Sequence, residues 1–161
     1  MKPTTRPTNF FWGKSVEHYQ LLKIAHSLPG ILLLLGLIAH VVMLWKAWRG
    51  GDAAVLQRKL RRTRLISLPL LGLLALSLPV SGWWLVNLAA WPLGQTWLLA
   101  SSALFGVLAV LLLLLAARLS AWQALGDTPA PARLLRFTAA YAGLILLLVL
   151  VIMGLMGAKP A

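Results

Sequence analysis

Cysteine is absent from the sequence and acid is nearly so. Without Cys, disulfides, zinc–thiolate sites, iron–sulfur clusters and thiol catalysis within the chain are excluded. Only 3 of the 161 residues are Asp or Glu, so paired carboxylates for acid–base chemistry are lacking. None of Glu17, Asp52 and Asp127 falls in a long apolar run. A carboxylate proton relay across a membrane has nothing to run on. No nucleophile elbow or phosphate-binding loop is present either. Charged residues make up 11% of the chain, against about 25% in an ordinary soluble domain.

What the chain does have is apolar surface and positive charge. Hydrophobic residues make up 60% of it, and 15 Lys and Arg give a net charge of +12. In water, so apolar a chain would expose large greasy patches. The pI near 11.7 would suit nucleic acid, but the mean hydropathy is positive and no recognition fold fits. Nucleic acid is therefore not expected as a partner; the lipid bilayer is.

Four uncharged apolar runs cover about residues 24–45, 65–88, 97–117 and 137–158, each long enough to span a bilayer. The expected fold is all-α, a four-helix transmembrane bundle, with residues 1–161 as a single four-span membrane domain. The first 20 residues lack the apolar core of a cleaved signal peptide, so the first span is expected to direct insertion. Phe10, Phe11 and Trp12 read as a short interfacial anchor.

Basic residues set the orientation. The first loop carries Lys46, Arg49, Arg58, Lys59, Arg61, Arg62 and Arg64, and the third carries Arg118, Arg133 and Arg136. The opposite side has Lys2, Arg6, Lys14, Lys23 and Lys159. Ten against five predicts a bacterial inner-membrane protein with both termini periplasmic. In the first loop, GGDAAVLQRKLRRTR places Asp52 as the N-cap of a short helix running into span two. Its basic cluster serves orientation first and could also hold anionic lipid. In the third loop, GDTPAPAR is a turn in which Gly126 ends a helix. Trp83, Trp84, Trp91 and Trp97 gather at the far end of spans two and three, as an aromatic belt or a ring stack over a cofactor.

Two histidines stand inside span one, His26 and His40. Fourteen residues apart, they are separated by about 21 Å along a helix and share one face, one near each leaflet. Imidazole is a good heme ligand, so both are candidate heme ligands. Two bis-histidine hemes need four axial ligands, so a second copy or a partner would have to supply the rest. For His40 the plainer role is to snorkel or to bond a carbonyl. Small residues and prolines follow: Pro29, Gly30 and Gly36 in span one, then Pro69, Gly72, Pro79 and Gly82 interrupting span two. Gly154 and Gly157 lie near the end of span four. Such residues allow close helix packing, and prolines also shape cavities.

His26 followed after nine intervening residues by Gly36, and the stretch Thr96-Trp97-Leu98-Leu99, resemble a bacterial superfamily of small membrane proteins. It includes the copper-resistance D type and the heme-binding, four-helix protoporphyrinogen oxidases. The ending Leu155-Met156-Gly157-Ala158-Lys159-Pro160 is similar to the Met-x-x-Lys-Pro close of a predicted integral membrane protein family of unknown function. That family matches best across the chain in length, span order and basic first loop. The oxidase resemblance would make His26 a heme ligand. The lysine those relatives carry after Trp-Leu-Leu is missing, however; the stretch reads Ala100-Ser101-Ser102. A copper role would want His or Met clusters, and the methionines are only Met1, Met43, Met153 and Met156.

The leading expectation is a non-catalytic accessory protein acting through a membrane-protein partner or as a homo-oligomer. The alternative is a b-type heme protein using His26, with His40 for a second site, in electron transfer or porphyrin chemistry. A small metal-ion or solute permease comes third. No catalytic residue and no metal site is assigned, and an enzyme is not expected.

Overall fold

A computed structural model describes residues 9–158, with side chains from Glu17 onward. All regular structure among the described residues is helical: α1 Asn9–Arg49, α2 Ala53–Arg62, a π turn Thr63–Ser67, α3 Leu68–Leu88, α4 Thr96–Ala124 and α5 Ala132–Ala158. Four segments are long and apolar enough to cross a membrane: Glu17–Arg49, Ala53–Leu88, Thr96–Ala124 and Ala132–Ala158. They contain the four expected spans and run past their ends. Hydropathy stops at the first charges, whereas a helix continues through long basic side chains that reach the headgroups. The side chains of Phe10, Phe11 and Trp12 lie outside the described residues, as do Lys159 and Pro160.

Local chemistry sets the boundaries. Asp52 caps α2, its carboxylate accepting from the Val55 N–H at 3.1 Å. Gly51 and Gly126 take up positive φ values of +72° and +59° at the turns, a region that favours glycine. The expected interruptions of span two take another form, since α3 runs unbroken through Pro79. At Pro69 the chain widens instead. A proline donates no i→i−4 bond, and its ring crowds the carbonyl four residues back. That residue, Leu65, is the centre of the π turn.

The helices pack as two pairs, α1 with α3 and α4 with α5, joined by contacts between α1 and α5. Leu33, Leu60, Leu108 and Ile145 are the largest fully hidden side chains, one each from α1, α2, α4 and α5. Around them gather Leu37, Leu44, Leu71, Leu111, Leu115 and Val149. The two basic loops meet at one end of the bundle. Gln57 donates to the Gly126 carbonyl at 2.6 Å, and Arg64 reaches the Gln123 side chain at 3.4 Å.

Candidate functional site

The seam between α1 and α3 holds His26 and Ser81. Its register is set by small residues opposite large ones. A Cβ on Gly30 would lie 3.7 Å from Leu78 Cδ2, and one on Gly36 would lie 2.7 Å from Leu71 Cδ2. The missing side chains let the two helices approach closely. One turn before Gly30, the His26 ring lies where a Cβ on Gly82 would come 3.2 Å from its Cε1. Gly30, Gly36 and Gly82 therefore all act at this seam.

His26 is half-buried, with Nδ1 2.9 Å from the Ser81 hydroxyl. The tautomer can be assigned from the network. The Ser81 oxygen lies 2.6 Å from the Ser77 carbonyl and 3.3 Å from that of Leu78. Its one proton goes to a carbonyl, so Ser81 accepts from Nδ1–H of His26. The lone pair of the neutral ring is then on Nε2. His40 reaches the same tautomer by another route. Its Nδ1 is 2.7 Å from the Gly36 carbonyl, which can only accept. The two histidines thus differ in their supports: His26 ties α1 to α3, and His40 bonds its own helix.

Beyond His26, toward the N-terminal end of α1, a cavity of about 430 Å³ opens between the helices. It is lined by His18, Leu21, Leu22, Ala25, Trp84 and Leu88. Pro29 leaves the Ala25 carbonyl without its usual helical donor, which puts an acceptor in an apolar wall. The four tryptophans expected at this end divide. Trp97 is buried and meets Trp91 edge-on at 5.8 Å, whereas Trp83 and Trp84 are exposed.

Ser81 carries no signal in the sequence, since 55 residues separate it from His26. Met153 and Met156 are three residues apart on α5. Among the described residues, no three His, Cys, Asp or Glu side chains come together as a metal site. The arrangement holds one imidazole in orientation at each of two levels of α1, with an apolar cavity just beyond the level of His26.

No curated protein and no solved structure matches the chain. A family model described as predicted integral membrane protein (DUF2269) matches residues 20–160. It carries the resemblance based on the chain's length, span order and closing motif, and says nothing of the copper-resistance D or oxidase families. With four candidate spans and a match over nearly its whole length, the chain belongs to this family of integral membrane proteins.

Proposed function

We propose that the protein is a non-enzymatic accessory subunit of a bacterial inner membrane, working by lateral association with another membrane protein or a second copy of itself. The observation that carries this reading is the outer face of α5. Gly143, Gly154 and Gly157 lie there with nothing within 4 Å of an added Cβ. They fall within about 60° of one another on the helical wheel. The buried residues of α5, Thr138, Ile145 and Val149, lie on the opposite side. Glycine in a membrane helix allows close backbone approach, and here the chain itself makes no use of it. Crosslinking in native membranes should capture a stoichiometric partner or dimer, and Gly143→Leu with Gly154→Leu should abolish it. A lone monomer in both cases would sink the reading.

A second reading is supported by the His26 geometry: a b-type heme protein. His26 and His40 would hold the heme through Nε2, since Nδ1 of each ring is already anchored. Bis-histidine ligation at either level would need a second chain. Bound heme would supply one-electron chemistry; Ser81 would hold the ring plane, and the apolar walls would exclude water. A reduced-minus-oxidised spectrum of the purified protein should then show a b-type band that is lost in His26→Ala. No band from heme-replete cells would end this reading.

The proposed orientation has both termini in the periplasm. It is supported by the ten Lys and Arg of the two loops against five elsewhere.

A further inference from the structure

Arg118 of α4 and Arg133 at the start of α5 share one aromatic ring. The Arg118 guanidinium lies 5.5 Å from the centroid of the Phe137 ring, and that of Arg133 lies 5.8 Å from the same ring. Arg133, Arg136, Phe137 and Ala140 line a cavity of about 510 Å³. Tyr141 lies beside Phe137, with the ring centroids 6.4 Å apart. Among the described residues no carboxylate pairs with any of the three arginines, and Asp52 is engaged at the cap of α2.

An orientation signal needs only a count of positive charges, and lysine in a loose loop would serve. This cluster has more structure than that. Arg118 comes from one side of the turn and Arg133 and Arg136 from the other, and folding brings Arg118 and Arg133 onto one aromatic ring. All three are arginine, whose planar fork matches the oxygens of a phosphate in pairs. The rest of the lining, Phe137 and Ala140, is apolar. Its occupant therefore combines an anionic phosphate ester with an apolar continuation.

We infer that Arg133 and Arg136 form a binding site for the phosphate of an anionic phospholipid, whose glycerol backbone rests on Phe137 and Ala140, with Arg118 adding positive charge beside the Phe137 ring. The phosphate bridges the guanidiniums of Arg133 and Arg136, and the acyl chains follow the exposed side of α5 into the bilayer. Lys23 on α1, exposed and equally charged, lies at the other end of the bundle and is not part of the site.

Native mass spectrometry of the full-length protein in detergent micelles tests this, with phosphatidylglycerol and phosphatidylcholine titrated separately. One phosphatidylglycerol per chain should be retained in preference to phosphatidylcholine. Arg133→Gln and Arg136→Gln should each weaken it about fivefold, while Lys23→Gln, which removes the same charge, should leave it unchanged. Arg136→Lys should bind with intermediate strength, since it keeps charge and loses the fork. Each variant is first shown to keep its helical circular dichroism and a single elution peak. Equal retention of phosphatidylcholine, or an equal loss in Lys23→Gln, would overturn the site. Soluble glycerol 3-phosphate binding as tightly as the lipid would overturn its assignment to a lipid.

Discussion

Ala90 has a φ of +50°, the one positive value among the described non-glycine residues. It sits just past α3, where the Trp91 N–H bonds the Val86 carbonyl at 3.1 Å and the Ala90 N–H faces that of Asn87 at 3.3 Å. This is a glycine-type helix ending built with alanine. Ala90→Gly should therefore raise stability by about 0.5–1 kcal/mol, the relief of the left-handed strain less the added freedom of the unfolded chain. Gly126→Ala should lower it by about 1 kcal/mol, since Gly126 holds the corresponding position after α4. Unfolding midpoints in one detergent read both. Thr63 offers another test. It is 3% exposed, and its hydroxyl has no partner. Thr63→Val keeps the shape, removes the unpaired group and should add about 1 kcal/mol. A lower midpoint would mean that the membrane supplies a partner. Asp52 and Gly126 were legible as cap and turn because those roles depend on near neighbours in sequence. The strain at Ala90 was not, because alanine carries no turn signal.

For the elements, the contrast lies between two glycines of similar appearance in sequence. An added Cβ on Gly36 falls 2.7 Å from Leu71, while one on Gly72 meets nothing within 4 Å. Gly36→Val should force α1 and α3 apart and cost about 1–3 kcal/mol. Gly72→Ala should be neutral or stabilising by up to about 1 kcal/mol, from helix propensity alone. If both behaved alike in an unfolding titration, the α1–α3 register would be wrong. Composition marked Gly36 and Gly72 equally as packing residues; only helix rotation separates them. The π turn before Pro69 was hidden for a similar reason. A proline announces a disturbance of the helix, but its neighbours decide whether a break, a kink or a wide turn results.

For the whole molecule, charge placement leads to a topology prediction. A reporter fused after Pro160 should be active outside the cytoplasm, and one inserted after Gly126 should be active inside. The reverse pattern would invert the orientation and place the arginine cluster of α4 and α5 in the outer leaflet. Gln57 to Gly126 and Arg64 to Gln123 tie the two basic loops at one end, so any topology puts both on the same side.

The sequence alone determined the number of spans, the helical class and the short basic helix in the first loop. These follow from hydropathy, capping and helical period, which act over a few residues. Only the tertiary structure decided that Ser81 holds His26, that His40 bonds its own helix, and that Arg118 and Arg133 share Phe137. In a membrane, both the lipid and the protein interior are apolar. A leucine-rich helix therefore does not declare which face turns inward, and the partners of its few polar groups are settled by packing.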